Sequence, residues 1–270
     1  MSTKKTVTVH KKVYLAFLDV LGFQELVKNS TTENLIRTFE QLTDIVASQL
    51  TYMAVHKENS ISFELRKEQD LNYVIISDSI ILWTNDIVHG SFYTIVAAVQ
   101  NIIYHAFKHY VPLRGAIVCN SLAIFDNRFD TSQKNIEASL IGQAIVEGYE
   151  LSNSQDWCGC FIDKECLKTH SEEFANFKKH DRDYKISPEM YDGLERDYMM
   201  NSIVKTKVPF KSGYEDGSVI QWAKVGSNLP VYDYQVQETF EKDKGYKGQS
   251  TVKIKIQNTI EFVSAYSKKV

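Results

Sequence analysis

The chain of 270 residues is long enough for one large domain or for a catalytic domain with an appendage. Its 43% hydrophobic and 24% charged residues are ordinary for a globular protein. The formal net charge of -3 gives no global reason to expect nucleic acid as a partner. No apolar stretch approaches the roughly 20 residues that span a bilayer, so we expect no membrane partner either.

The N-terminal segment is polar and lacks the apolar core of a secretory signal. We therefore predict a flexible leader over residues 1–11. The cysteines include one Cys-x-Cys pair, which is weak support for a zinc site. They are Cys119, Cys158, Cys160 and Cys166. Reduced cysteines and the missing signal together favour a cytoplasmic location.

Apolar periodicity predicts strands and helices that alternate along the first 165 residues. The predicted strands are residues 12–21, 61–66, 72–77, 79–84, 113–118 with a continuation at 122–125, and 159–162. The predicted helices are residues 23–53, 87–109, 138–151, 230–243 and 251–268. Between them we expect a polar loop at 126–137, a charged surface excursion at 170–200, and late strands at 204–210 and 219–222. This order predicts a sheet with helices on one face.

Two apolar runs are each interrupted by one aspartate, Asp19 in the first strand and Asp78 at the tip of a predicted hairpin. An unpaired carboxylate in a buried strand is costly, and a cation is its simplest partner. Two such carboxylates on neighbouring strands can bridge two divalent ions, for which oxygen ligands favour Mg2+ or Mn2+ over zinc. Taken singly, each aspartate is equally well explained as a cap or turn residue.

Four segments, in this order, resemble motifs of the class III nucleotidyl cyclases. Residues 17–23 are similar to the first metal motif, and 76–79 fall at the hairpin of the second metal aspartate. Residues 113–117 resemble the next strand, whose arginine contacts the triphosphate, and 142–151 fall at the dimer-interface helix. The segments Leu-Asp-Val-Leu-Gly-Phe and Ser-Asp-Ser are similar to those of the uridylate and cytidylate cyclases of the Pycsar antiphage system. Residues 200–225 resemble the same family faintly.

The resemblance implies an α+β fold with a ferredoxin-like class III cyclase core, an antiparallel sheet with helices on one face. Residues 12–165 would form this catalytic domain and act as a homodimer with shared active sites. Residues 166–270 would be a C-terminal elaboration, a strand pair and helices packed on the core. The implied reaction converts UTP or CTP, with a lean to UTP, to the 3′,5′-cyclic nucleotide and pyrophosphate. The product would be a second messenger in antiphage defence.

The resemblance also assigns roles to individual residues. Asp19, Asp78 and the carbonyl of Val20 would hold two Mn2+ or Mg2+ ions, and the two aspartates with Arg114 would carry the catalysis. The residues placed against the substrate are Gly22, Phe23, Tyr73 and Arg114. Arg114 would contact phosphates, with a strand-edge ion pair as the alternative. Tyr73 would read or stack on a base from the partner subunit, with a place in the core as the alternative.

The chain departs from the purine cyclases at the residues that recognise the nucleotide. Adenylyl and guanylyl cyclases carry an Asn and an Arg on the interface helix, where this chain has Val146 and Glu150. They also use a Lys on the strand before the hairpin, and residues 73–75 contain none. Purine specificity is therefore unsupported, and pyrimidine specificity is favoured.

Two other functions remain open. A cyclase-like module that has lost catalysis and binds a nucleotide or a partner is favoured by the missing Asn and Arg. The retention of both aspartates favours the enzyme. A metal-dependent nuclease or phosphatase is the third alternative, for which the sequence offers no further acidic cluster.

Overall fold

The computed structural model describes residues 6–57, 60–65, 71–87, 90–128, 136–180, 202–226, 228–241 and 250–267. The strands are β1 (Thr6–Val20), β2 (Tyr52–Lys57), β3 (Ser60–Leu65), β4 (Leu71–Ile76), β5 (Ser79–Thr84), β6 (Leu113–Arg128), β7 (Ile136–Ile141), β8 (Gly159–Ile162), β9 (Ile203–Phe210) and β10 (Gly213–Ile220). The helices are α1 (Phe23–Asn29), α2 (Thr32–Thr51), α3 (Ser91–Lys108), α4 (Gln143–Ser154), α5 (Lys164–His180), α6 (Asp233–Glu241) and α7 (Ser250–Tyr266). The predicted α+β class is confirmed.

The main sheet has the strand order β4-β5-β1-β6-β8-β10-β9 within the described residues, and β7 pairs with the outer part of β6. Neighbouring strands are antiparallel except β6 and β8, which are parallel. The sheet is antiparallel as predicted except at this pair, where α4 crosses over between β6 and β8. β2 and β3 form a separate hairpin.

The side chains of β1 alternate between two cores on opposite faces of the sheet. Tyr14, Ala16 and Leu18 join a large core with buried residues of α2, α3, α5, α6 and α7. Leu15 and Phe17 belong to a smaller core on the other face, which includes residues of α4. Burial of each large apolar side chain contributes about 1.5–3 kcal/mol, so both faces of β1 are stabilised strongly.

Helix α4 lies on the face opposite to α2 and α3, so the prediction that helices cover only one face is wrong. The reason is a stripe of small, buried residues on α4, namely Ala144, Gly148 and Ser152. A Cβ atom on Gly148 would lie 3.0 Å from the Cβ of Phe17, so the glycine allows the helix to approach β1 closely. The four-residue spacing places the stripe on one side of the helix.

The predicted leader is wrong for residues 6–11, which form the first part of β1. They pair with β6, from Thr6 opposite Asp126 to His10 opposite Leu122. The alternation of Thr6, Val7 and Thr8 continues the period of two that is typical of strands. Residues 1–5 lie outside the described part of the chain.

Most predicted elements are confirmed, and the differences concern their ends. The segment 23–53 is two helices, separated at residues 30 and 31. The predicted loop at 126–137 contains the end of β6 and the start of β7, while 129–135 lie outside the described residues. Helix α4 begins at Gln143 rather than at 138, because the preceding residues pair with β6.

The C-terminal half adds strands to the main sheet and helices to its large core. β9 and β10 form the predicted strand pair and join the sheet through Ser218 opposite Ile162 of β8. Buried residues of α6 and α7, such as Phe240 and Phe262, belong to the same core as α3. Of the expected excursion at 170–200, residues up to His180 continue α5 and the remainder lies outside the described residues. No described helix is long and apolar enough to cross a bilayer.

Candidate active site

Asp19 lies one residue before the end of β1, between the two strands that flank it. Its backbone is opposite Ser79 of β5 on one side and Arg114 of β6 on the other. Because side chains alternate along a strand, Asp19 faces the same side of the sheet as Phe17, the side that carries α4. The carboxylate therefore lies among groups from β5, β6 and α4.

Asp78 is brought beside Asp19 by the turn between β4 and β5. Ile76 and Ser79 close a two-residue turn, in which Ser77 has a positive φ of 55°. A positive φ at this position is typical of the tight turns that join twisted antiparallel strands. The backbone N–H of Val20 donates a 3.0 Å hydrogen bond to the carbonyl of Asp78. This bond fixes the tip of the turn against the end of β1, next to Asp19.

Arg114 makes a largely buried ion pair with Asp19. Its Nε and Nη2 atoms donate to Oδ2 of Asp19 at 3.1 and 3.0 Å. Nη2 also donates to Oδ1 of Asn153 at 2.9 Å, and Nη1 lies 3.4 Å from the backbone carbonyls of Asn153 and Gln155. The side chains are only 12% and 18% exposed for Arg114 and Asp19, so solvent screens this pair weakly.

Gly115 and Gln155 hold the strand of Arg114 in place. A Cβ atom on Gly115 would lie 2.6 Å from the carbonyl oxygen of Phe17, so only glycine permits this approach of β6 to β1. The buried Gln155 donates from Nε2 to the carbonyl of Gly115 at 2.7 Å, and Ser152 Oγ donates to the carbonyl of Arg114 at 3.4 Å. The end of α4 therefore positions both the backbone and the side chain of Arg114.

The charges around Asp19 are not fully balanced by Arg114. Burial raises the pKa of Asp19 to about 6, Arg114 opposes this rise, and the negative charge of Asp78 adds to it. The two aspartates are neighbours because Asp19 lies opposite Ser79 and Val20 donates its N–H to the carbonyl of Asp78. Two neighbouring carboxylates, of which only Asp19 is paired with a guanidinium, favour a further cation.

The donor set of this site fits a hard divalent ion. Within the described residues, no group of three or more His, Cys, Asp and Glu side chains is placed to hold a metal. The protein ligands at this site would therefore be the carboxylates of Asp19 and Asp78 and a backbone carbonyl such as that of Val20. All of these are oxygen atoms, which suit Mg2+ or Mn2+, and Mg2+ commonly binds through one or two carboxylates with substrate phosphates completing its shell.

A second cation that the sequence analysis missed lies beside Arg114. Lys211, in the turn between β9 and β10, donates from Nζ to Oδ1 of Asn153 at 3.3 Å, the same atom that Arg114 contacts. The backbone N–H of Lys211 also donates to the carbonyl of Ser154 at 2.8 Å. The sequence does show a lysine between two predicted late strands. It could not show that this lysine contacts Asn153, which is 58 residues away in the chain.

Three residues predicted to touch the substrate are placed differently from the aspartates. Tyr73 is 38% exposed and faces the opposite side of β4 from Val74, which packs on the core on the α4 side. Tyr73 is thus neither in the core nor on the face of Asp19. Phe23 packs edge-to-face on Phe39 at 5.6 Å, and Gly22 is the N-cap residue of α1 with a φ of 81°.

Val146 and Glu150, the two positions that the resemblance aligned with an Asn and an Arg of purine cyclases, lie on the outer surface of α4. Val146 is 54% exposed, and Glu150 is also exposed. Both are turned away from the small-residue stripe that packs on β1. They therefore face outward from the sheet of their own chain.

No protein-family model and no curated protein matches the chain. Among solved structures, it is similar to the adenylyl cyclase CyaB from P. aeruginosa, with 12% identity, coverage of 83% of this chain and 98% of that chain, and a TM-score of 0.47. It is similar to the dimeric guanylyl cyclase domain of the RhoGC fusion protein from the aquatic fungus Blastocladiella emersonii, with 12% identity, 80% and 97% coverage, and a TM-score of 0.46. The guanylate cyclase domain of RhGC from Catenaria anguillulae, in complex with GTP, gives 13% identity, 79% and 97% coverage, and a TM-score of 0.44. At such low identity, function has to be argued from the residues of the site.

Proposed function

We propose that the chain is a metal-dependent nucleotidyl cyclase of class III that acts on a pyrimidine nucleoside triphosphate. The observation that carries this proposal is the convergence of Asp19 from β1, Arg114 from β6 and Asp78 from the turn between β4 and β5 at one end of the sheet. Two carboxylates beside an arginine form a site for divalent ions bound to a polyphosphate. The same three residues are those that the resemblance assigned to the metals and the phosphates.

The reaction is an intramolecular phosphoryl transfer. The ribose 3′-oxygen forms a bond to the α-phosphorus while the bond to the bridging oxygen breaks, so that pyrophosphate leaves and the hydroxyl proton is lost to water. Two divalent ions, when bound, would neutralise phosphate charge and lower the pKa of the attacking hydroxyl. Asp19 and Asp78 would hold these ions, and Arg114 would contact the phosphates.

The contacts of Arg114 suggest how it becomes available to the substrate. In the structure its guanidinium neutralises Asp19. A divalent ion at Asp19 would neutralise the carboxylate and so weaken its hold on the guanidinium. Asn153 would then continue to hold Nη2 of Arg114, so that the guanidinium turns towards the phosphates without losing its anchor on α4.

Pyrimidine specificity is supported by the residues near the site. Val146 and Glu150 stand where purine cyclases carry Asn and Arg, and no lysine occurs in residues 73–75. Val74, rather than Tyr73, faces the side of Asp19, and its aliphatic side chain offers no hydrogen bond to a purine edge. We therefore propose UTP or CTP as the substrate, with a lean to UTP, and a cyclic nucleotide that serves as second messenger in antiphage defence.

A homodimer with shared active sites is part of the proposal. Exposed apolar side chains occur on the face that carries Asp19 and α4, including Ile76, Val146 and Tyr149, which are 57%, 54% and 54% exposed. Exposed apolar groups of this kind are typical of protein interfaces. A second copy of the chain would cover them and bring its own α4 towards the site of the first.

Incubation of the protein with each of the four ribonucleoside triphosphates and Mn2+, followed by identification of the products, tests this function. We expect a 3′,5′-cyclic pyrimidine nucleotide and pyrophosphate from the wild type and no product from Asp19→Ala or Asp78→Ala. Asp86→Ala is the matched control, because Asp86 is exposed at the far end of β5. Full activity of either site variant would defeat the metal assignment.

A second candidate function is a cyclase-like module that binds a nucleotide without converting it. The observation that favours it is the absence of an Asn and an Arg from α4 at Val146 and Glu150. In that case no triphosphate would yield a product, while nucleotide binding would persist and would depend on Arg114. Sedimentation in the same experiments reports whether active protein is a dimer.

A further inference from the structure

Helix α7, near the C-terminus, is fixed to the segment that follows α4. Asn258 donates from Nδ2 to the carbonyl of Asp156 at 2.8 Å. The backbone N–H of Cys158 donates to Oγ1 of the buried Thr259 at 3.0 Å. Tyr214 of β10 donates from its hydroxyl to Oδ1 of Asn258 at 2.8 Å. Side chains on this face of α7 therefore point towards residues 156–158.

The end of α4, directly before this segment, holds two cations of the candidate active site. Asn153 accepts hydrogen bonds from both Arg114 and Lys211. The backbone of Asp156 is in turn fixed to the strand before Lys211, through a 2.9 Å hydrogen bond to the carbonyl of Pro209. The C-terminal helix is thus connected to the site through a few consecutive residues.

Lys255 lies on the same face of α7, one turn before Thr259. Residues three and four apart on a helix are neighbours, so Lys255 shares its face with Asn258 and Thr259. Its backbone carbonyl accepts the hydroxyl of Thr259 at 2.7 Å, which confirms the one-turn relation. The side chain of Lys255 is half-buried, whereas Lys253 on the same helix is exposed.

The charges of the candidate site act on Lys255. Burial is the main cause that lowers its pKa, and the nearby positive charges of Arg114 and Lys211 lower it further. Asp156 and, less strongly, Asp19 oppose this effect. Within the described residues, no hydrogen bond or ion pair holds the ammonium group. An anion that binds among a half-buried lysine and two other cations stabilises the charged form of that lysine.

We infer that Lys255 is a third phosphate-binding cation of the site, supplied by the C-terminal helix next to Arg114 and Lys211. The ligand class is a polyphosphate, either the triphosphate of the substrate or the pyrophosphate that leaves. This inference deepens the proposed function and rests on it for the identity of the polyphosphate. It also gives the C-terminal helix a role at the site in addition to its packing in the core.

Binding of inorganic tripolyphosphate to the full chain, measured by calorimetry with Mn2+, tests the inference without any turnover. We expect Lys255→Met to weaken binding about 10-fold, the change that a lost charge-assisted contact of about 1.4 kcal/mol produces. Lys255→Arg should restore affinity to within about 3-fold of the wild type, since it keeps the positive charge. Lys253→Met is the matched control and should bind as the wild type does.

Two results would overturn the inference. One is wild-type affinity in Lys255→Met, including the case in which only its melting temperature falls, since Lys255 would then contribute to stability alone. The other is an equal loss of affinity in Lys253→Met, which would indicate a general charge effect. If Lys255→Met does not fold, Lys255→Gln takes its place in the same comparison.

Failure of the proposed function would look different from failure of this inference. One outcome is that no ribonucleoside triphosphate yields a cyclic product, while Lys255→Met still weakens tripolyphosphate binding and Lys255→Arg restores it. The inference about Lys255 is then supported and the proposed cyclase activity is refuted. If cyclic product forms and the KM of Lys255→Met equals that of the wild type, the proposed cyclase activity is supported and the inference about Lys255 is refuted.

Discussion

Replacing Asp19 with Asn should stabilise the metal-free protein at neutral pH while abolishing its activity. Burial raises the pKa of this carboxyl from its ordinary 3.8 to about 6, even though Arg114 opposes the rise. Such a rise corresponds to about 3 kcal/mol of stability lost when the carboxyl is ionised. Asparagine has a similar shape and no charge, so the variant avoids this cost. Residues that function requires commonly lower the stability of the folded protein in this way.

The effect has a defined dependence on pH. Because the pKa of Asp19 is raised in the folded state, its contribution to stability is present below about pH 4 and is lost as the pH rises through about 6. The difference in free energy of unfolding between Asp19→Asn and the wild type should therefore increase by about 2 kcal/mol from about pH 4.5 to about pH 8. Other titrating groups are common to both proteins and cancel in this difference.

Urea unfolding in the presence of EDTA measures this difference at each pH. Asp86→Asn is the control, because Asp86 is exposed, and its difference from the wild type should not change with pH. Added Mn2+ should raise the melting temperature of the wild type but not that of Asp19→Asn, since a ligand stabilises only the state that binds it. The reasoning is refuted if Asp19→Asn is less stable than the wild type at about pH 8, or if the difference is independent of pH.

Three further outcomes are expected from other parts of the chain. Gly115→Ala should lower the free energy of unfolding by about 1–3 kcal/mol in urea, because the new methyl group would meet the carbonyl of Phe17; wild-type stability would contradict the close approach. Burial raises the pKa of Glu173 to about 7. The free energy of unfolding of the wild type should therefore fall relative to that of Glu173→Gln as the pH rises through about 7. Parallel pH profiles of the two free energies would disprove this. Burial raises the pKa of Cys119 to about 11, so mass spectrometry after brief iodoacetamide treatment of native protein should find this thiol unmodified, whereas rapid alkylation would show that it is accessible.

Local sequence patterns were sufficient to predict the strands that carry the two aspartates. Asp19 interrupts an apolar run whose period of two is typical of a buried strand, and Ser77-Asp78 between two Ile- and Val-rich runs is typical of a tight turn. Both elements were confirmed with the predicted turn at Asp78. The physical reason is that strand alternation and turn chemistry depend on neighbouring residues only.

The faces of the sheet could not be predicted from the same patterns. Tyr73 and Val74 are adjacent in the sequence, yet only Val74 lies on the side of Asp19, because the two side chains point to opposite faces. The side on which α4 packs depends on Gly148, whose missing side chain lets the helix approach Phe17. Neither outcome follows from propensity, since each depends on how distant segments pack together.

The sequence by itself therefore determined the class of fold and placed Asp19 near the end of a strand and Asp78 at the tip of a hairpin, because a carboxylate among apolar residues leaves a visible local signal. The resemblance assigned Arg114 to the same site, but only the tertiary structure placed Lys211 beside it. Arg114 comes from a strand and Lys211 from a turn far away in the chain. Both contact Asn153 at the end of α4, and such long-range contacts have no signature in a single sequence.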